Sequence, residues 1–391
     1  NVVGVSIAPG ETYDFILPEW CSNSEGDVAL NMQVSNVNGM NDSDFSDNGF
    51  DKSIFCYPAT MERNILLEGF TGQACSNCPT GHKTISNFMA KATTTPVIEV
   101  MHHSGYQPDY FSMDDDYEYT YFYGSSGTYA PAVMLNRAAT FDVMPVMNTD
   151  ELYLTYVYDI VENYQPYVSL KLNSEFDAAT RELNIDFSSY AHADLPAENI
   201  AFNVMLVQDG LLSKQTPYGD GYVHNAVFRG TATGNAWGYL LNDEAIKKGG
   251  EAHWHTKMVL PESIYSNMDY DGKDSTKCVW PAIPENMRLV AYVAAHGNTP
   301  ASRQIYNAIE VPLGGSHSQG AYPSAIKSVI NVAPNISVRD GRIVADGEYD
   351  SMKVYSCDGR MMHNDATLPS GIYIVRVNKG TNSKAIKVRI R

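Results

Sequence analysis

Arg63-Asn64-Ile65-Leu66-Leu67-Glu68-Gly69-Phe70-Thr71-Gly72-Gln73-Ala74-Cys75-Ser76-Asn77-Cys78-Pro79-Thr80-Gly81-His82 is the stretch on which the reading of this chain turns. Its first part is an apolar run of strand length, which predicts a buried strand. A polar connection leads into two cysteines three residues apart. Pro79 suits the first turn of a helix, where a missing N–H costs little. Ile85, Phe88 and Met89 then fall on one face of a helix predicted over 80–91. A thiol placed just before a helix meets free N–H groups and the positive end of the helix dipole, which favour the thiolate. Cys75 is therefore the expected attacking sulfur in disulfide exchange, and Cys78 the resolving one.

Working outward, residues 96–101 form a second apolar run, and a helix is predicted over 113–123. Ala130-Pro131 precedes a strand at 132–136. Residues 148–163 read as an amphipathic helix. Thr149 or Asp150 caps it, and Leu152, Tyr153, Tyr156, Val157, Ile160 and Val161 recur at helical spacing. This order predicts an α/β domain over 61–165.

Beyond Pro166 the period becomes two. Val168, Leu170 and Leu172 alternate with polar residues, as do Leu183, Ile185 and Phe187. Further strands are expected at 201–207, 222–230, 251–259, 288–294 and 304–311, giving a β-sandwich over 166–313. The latter part of the second of these regions, His224-Asn225-Ala226-Val227-Phe228-Arg229, reads as strand with a locally paired arginine. The run Gly314-Gly315-Ser316-His317-Ser318-Gln319-Gly320 predicts a flexible linker, taken as 314–334, before a small β-sandwich at 335–391. Residues 1–60 read as short strands, at 13–17 and 28–34, in a partial immunoglobulin-like β module. The expected fold class is multidomain, α/β plus all-β.

The chain has 391 residues, 27 Lys and Arg against 45 Asp and Glu, and a net charge of −18. Such a surface repels nucleic-acid phosphates and anionic lipid headgroups. No apolar run reaches the roughly 18 to 20 residues a membrane helix needs, so no transmembrane segment is expected. The start, Asn1-Val2-Val3, carries no basic segment followed by an apolar stretch, so any signal peptide is taken as removed or left out. The six cysteines are even in number, and a Cys21–Cys56 disulfide would suit an oxidising compartment.

Three readings of the Cys75–Cys78 pair stay open: a redox-active site, a structural disulfide in a fold used for binding, and a zinc site completed by His82 and His102 or His103. Cofactors and metals are not expected to be needed. Asp42, Asp44 and Asp47, and the stretch 267–274, carry oxygen ligands in calcium-loop style, but solvated turns account for both. Asp114-Asp115-Asp116 complements a helix N-terminus.

The strand, the C-x-x-C and the later Ala130-Pro131 together resemble the thioredoxin superfamily. The resemblance implies that Pro131 is a cis-proline shaping the partner groove, and that Glu68 is the buried acid serving proton transfer at the second cysteine. The sequence departs from that family in its longer Thr71-Gly72-Gln73-Ala74 connection, with Ala74 where a tryptophan is usual. More narrowly, Leu67 to His82, Tyr123-Gly124-Ser125-Ser126-Gly127-Thr128-Tyr129-Ala130-Pro131 and Val223 to Arg229 resemble the outer-membrane-protein-28-related family of Bacteroidetes. That family implies an exported thioredoxin-like domain (61–165) followed by a β-sandwich. Val354-Tyr355-Ser356-Cys357-Asp358-Gly359-Arg360, Leu368 to Val377 and the closing strand from Lys384 to Val388 resemble a type IX secretion C-terminal sorting domain. The two resemblances together imply an extracytoplasmic protein, at the cell surface, outer membrane or periplasm of a Gram-negative bacterium. It would either exchange disulfides with an exported partner or act as a non-catalytic surface binding or adhesion protein, with possible surface attachment through its C-terminal domain.

Overall fold

The computed structural model describes residues 6–14, 25–34, 40, 44, 46, 48–58, 60–124, 128–140, 144–266, 279–323, 335–339, 341–346, 350–356, 360–363, 367–379 and 382–390. They form two compact units, Asn1–Tyr322 and Pro323–Arg391. The fold is α/β plus β, with several sheets and three α-helices among the described residues.

The first unit opens with an antiparallel pair, β1 (Gly26–Gln33) and β2 (Gly49–Cys56). Then come β3 (Ile65–Thr71), α1 (Cys78–Lys91), β4 (Val97–His103), α2 (Asp114–Tyr123), β5 (Ala132–Leu135), β6 (Met147–Asn148) and α3 (Glu151–Val161). Among the described residues the remaining elements are strands and two short 3-10 turns. The strands are β7 (Val168–Asp177), β8 (Glu182–Ala191), β9 (Ile200–Gln208), β10 (Leu211–Gln215), β11 (Gly219–His224), β12 (Val227–Thr231), β13 (Tyr239–Leu240), β14 (Glu251–Val259), β15 (Ser263–Tyr265), β16 (Val279–Pro281), β17 (Met287–Ala295), β18 (Ile305–Pro312) and β19 (Ser316–Ser318).

β3 is buried at all seven positions, as a central strand covered on both faces should be. It runs parallel to β4 and antiparallel to β5, and α1 makes the crossover. α1 starts two residues earlier than the predicted 80, at Cys78, with Pro79 in its first turn. Asp150 caps α3 by accepting from Tyr153 N at 2.9 Å. The buried face of α3 is Leu154, Val157, Tyr158 and Val161, whereas Leu152 and Tyr156 point to solvent. The predicted stripe is thus rotated by about 100°, one residue's step, with Val157 and Val161 common to both. An aromatic-rich helix offers two apolar stripes, and only packing against β5 and α1 chooses between them.

The expected division at residue 165 is not a break in the sheet. A nine-stranded sheet runs β18-β17-β9-β12-β4-β3-β5-β6, with β13 added on β9. The join is parallel: Val227 of β12 sits opposite Met101 of β4, and Met101 N donates to Ala226 O at 2.7 Å. A second sheet, β14-β8-β7-β19, shares an apolar core with β9, β17 and β18, which makes the sandwich part of the fold. The strand expected over 222–230 is two strands. Ala226 takes φ +55, and its N–H is turned to Asp209 Oδ1 at 2.6 Å, which ends β11 and starts β12 in another sheet.

The glycine-rich run 314–320 is docked rather than loose. β19 pairs with β7, and the buried Gln319 accepts from Leu170 N at 2.7 Å. Backbone pairing outweighs the flexibility that the composition suggests.

The second unit contains the hairpin β20 (Asn335–Arg339) and β21 (Arg342–Asp346). Its other sheet holds β22 (Ser351–Ser356), β23 (Met361–Met362), β24 (Gly371–Lys379) and β25 (Asn382–Ile390), in the order β23-β22-β24-β25. Ile343, Val354, Tyr373, Val375 and Val388 are among the residues of its own core. No helix among the described residues is long and apolar enough to cross a membrane, which says nothing of β-barrels.

Candidate functional site

Cys75 and Cys78 are joined in a disulfide, with Cα atoms 5.5 Å apart. β3 delivers the chain to this point, and α1 begins at Cys78. The backbone N–H of Cys78 donates to Cys75 Sγ at 3.1 Å, so a free amide of the helix start is aimed at the first sulfur. Cys75 Sγ also lies 3.7 Å from Ala130 O, and the Ala130–Pro131 peptide is cis. Pro131 packs on α1 so closely that a Cβ on Gly81 would lie 2.7 Å from Pro131 Cβ. Cys75, Cys78 and Pro131 are thus brought together. Both cysteines are buried, at 3% and 0% exposure.

Glu68 stands elsewhere. Successive side chains of a strand point to opposite faces. Thr71, at the end of β3, bonds His82 of α1 (Oγ1 to Nε2, 2.7 Å), while Glu68 has the opposite parity. The Glu68 carboxylate instead accepts from Arg137 Nε and Nη2, each at 2.6 Å. His102 Nε2 approaches Glu68 Oε1 at 3.4 Å, too poorly aligned for a hydrogen bond, and its Nδ1 is 2.8 Å from Asp116 Oδ1. Burial pushes the Glu68 carboxyl up, but the Arg137 charge and hydrogen bonds, with His102, outweigh it and hold it at about 2. Burial likewise disfavours charged His102, yet Asp116 and Glu68 raise it to about 9. Two cations and two anions therefore balance in a sealed cluster, and the role expected for Glu68 at the second cysteine finds no contact to support it. Asp116 does more than complement the dipole of α2: it is the partner of His102 and accepts from Met113 N at 2.8 Å.

A cleft of about 330 Å³ opens beside α1, lined by Pro79, His82, Glu99, His103, Tyr222 and His224 among others. His103 Nδ1 lies 2.7 Å from Asp109 Oδ2, which also accepts from Gln73 N at 2.8 Å. Burial, with His103 nearby, lowers His82 to about 4, and similar causes lower His224 to about 3. Burial raises Glu99 to about 7 despite Arg288. Sequence reasoning did not find this cleft, because its walls come from α1, β4 and β11, which are remote in the chain.

No family model matches this chain, and no curated protein matches it. Among solved structures, HBP35 of Porphyromonas gingivalis is similar over 85% of this chain and 99% of that one, at 17% identity and a TM-score of 0.49. A domain of the outer membrane lipoprotein Omp28 from Porphyromonas gingivalis is similar over 38% of this chain and 88% of its own, at 11% identity and a TM-score of 0.21.

The histidines suggested as zinc ligands are all spoken for by other partners: His82 by Thr71 and Tyr222, His102 by Asp116, His103 by Asp109. Among the described residues no group of three His, Cys, Asp or Glu is placed to hold a metal ion. Arg229 is not paired locally in sequence. Its Nη2 makes long contacts to Trp280 O (3.4 Å) and Ile264 O (3.5 Å). Of the calcium-style residues, Asp44 accepts from Ser46, while Asp42, Asp47 and 267–274 lie outside the described residues. So do Cys21, Cys278 and Cys357, and with them the expected Cys21–Cys56 bond. Cys56 is half-buried and free among the described residues.

Proposed function

We propose that this is an exported, thioredoxin-like thiol-disulfide exchange protein of the outer-membrane-protein-28-related type, acting on an exported partner through Cys75 and Cys78. The observation that carries the reading is the Cys78 N–H donating to Cys75 Sγ at the start of α1, beside the cis Ala130–Pro131 peptide. A helix start stabilises a thiolate at Cys75, which makes it both a good nucleophile and a good leaving group. Pro131 borders the place where a partner sulfur would approach. A disulfide between two cysteines three residues apart also suits an oxidising, extracytoplasmic compartment. The second unit, with a core of its own, supports its reading as a sorting-type β module that directs the chain to the cell surface.

A second reading, a surface binding protein that keeps the disulfide as a brace, is favoured by the burial of both cysteines. Alkylation of the folded protein across a series of redox buffers separates the two. A potential within roughly −120 to −270 mV, with exchange abolished by Cys75→Ser, supports the exchange reading. A pair that stays oxidised below about −300 mV assigns the disulfide a structural role.

A further inference from the structure

The loop that carries Cys75 is tied to a segment that lies far along the chain. Gln215, at the end of β10, donates Nε2 to the carbonyls of Gly72 (3.1 Å) and Cys75 (2.9 Å). Thr216 N donates to Gln73 O at 2.8 Å, and Gln73 Nε2 donates to Ser213 Oγ at 2.8 Å. From β11, the Tyr222 hydroxyl meets His82 Nδ1 at 2.8 Å, one turn of α1 beyond Cys78. Gly72, Gln73 and Cys75 of the loop are all held by this one hairpin.

The hairpin is anchored on one face only, where Leu211 and His224 pack against Phe111. β10 and β11 pair only with each other, and Leu212 and Val223 on their outer face and Tyr218 in the turn between them are exposed. An isolated two-stranded hairpin is marginal in water, so its docking depends on the packing of Leu211 and His224 against Phe111 together with the bonds to the cysteine loop. The docked state is also imperfect: Gln215 Oε1 is buried with no partner among the described residues. Lifting the hairpin hydrates that oxygen. Elements of this kind supply the low-energy local openings of a folded protein.

We propose that the β10–β11 hairpin is a cover over Cys75, with Gln215 and Tyr222 as its catches, and that exchange requires it to lift. The inference rests on Cys75–Cys78 being an exchange site. A reductant thiolate must approach Cys75 Sγ along the S–S axis, from the side away from Cys78. At 3% exposure Cys75 offers little surface for such an approach. Once open, the thiolate bonds to Cys75 Sγ, the S–S bond breaks, and Cys78 leaves as a thiolate that takes a proton. The second thiol of a dithiol reductant then displaces Cys75. The reductant ends as its own disulfide, two electrons poorer, and the protein as a dithiol.

The test is the second-order rate of reduction of the disulfide in the full chain by dithiothreitol and by reduced thioredoxin, for wild type, Gln215→Ala and Tyr222→Phe. The cover predicts rates with thioredoxin about tenfold higher in Gln215→Ala and about fivefold higher in Tyr222→Phe, as expected for losing hydrogen bonds that hold the closed state. The gain with the smaller dithiothreitol is expected to be less, a size dependence that general loosening would not produce. Should Gln215→Ala fail to fold, Tyr222→Phe, altered at a half-buried hydroxyl, decides alone. Equal rates in wild type and folded variants overturn the cover while leaving the exchange reading intact. A disulfide that resists both reductants in every variant overturns the exchange reading itself.

Discussion

Arg137 grips Glu68 through two parallel hydrogen bonds of 2.6 Å, one to each carboxylate oxygen, with neither side chain more than 2% exposed. Asn136 and Arg137 both take positive φ, so the turn after β5 is what aims the guanidinium inward. Tyr119, Tyr123, Trp237 and Tyr292 surround it, and the Tyr292 hydroxyl accepts from Nη2 at 3.0 Å. Breaking one side of such a pair leaves an uncompensated buried charge. Arg137→Met is therefore expected to lower unfolding free energy by about 3–5 kcal/mol, read from urea denaturation. Arg137→Lys is not expected to restore it, because an ammonium cannot make the two-pronged contact.

The same pair leads to an expectation about chemistry. Glu68 is committed to Arg137 on the face of β3 away from His82 and α1. In a folded Glu68→Gln variant, the pH profile of thiol alkylation in the reduced protein should match wild type. A shift of the Cys78 thiol pKa by a unit or more would return Glu68 to the proton-transfer role.

Stability should fall on both sides of neutral pH. The folded-state value of His102 is raised to about 9, above the ordinary 6.5. Its contribution is full below pH 6.5 and is lost as pH rises through about 9. His82 and His224 are held neutral, with values lowered to about 4 and about 3. Their contribution is full above 6.5 and is lost as pH falls through those values. Urea midpoints from pH 3 to 10 check both limbs, and His102→Gln should flatten the alkaline one.

Gly81→Ala tests the packing of Pro131. Alanine normally favours a helix interior by about 1 kcal/mol over glycine. Here its Cβ would lie 2.7 Å from Pro131 Cβ and 3.2 Å from Thr149 Oγ1, so a net loss of about 1–3 kcal/mol is expected from overpacking. A higher melting temperature in that variant would contradict the contact.

Asp109 secures the loop as well, at the Gln73 that the hairpin also holds. Its carboxylate accepts from His103 Nδ1–H and Gln73 N through Oδ2, and from Phe111 N through Oδ1. Asp109→Ala should cost about 2–4 kcal/mol through its stranded partners and should speed reduction of the disulfide by dithiothreitol.

What was legible in the sequence is what neighbours in sequence decide. The run from Ile65 to Phe70, the C-x-x-C, Pro79 and the Asp150 cap are local signals, and the structure builds β3, α1 and α3 from them. The stripe of α3 was misjudged because Leu152 and Leu154 are equally apolar, and only the partner surface separates them. Glu68 and Arg137 lie 69 residues apart, and the Gln215–Cys75 bond spans 140, so no local pattern carries either. The docking of 316–318 on β7 was hidden for the same reason: glycine content records freedom, not the ladder that removes it.

The parallel join of β4 to β12 sets an order of events. During synthesis the chain emerges from its N-terminus, so Cys75 and Cys78 are made long before Ala226 arrives to meet Met101. Until then β4 is an open edge and the hairpin of residues 211–224 does not yet exist. The two sulfurs are thus most accessible in the nascent chain, and the disulfide can be laid down first and enclosed afterwards.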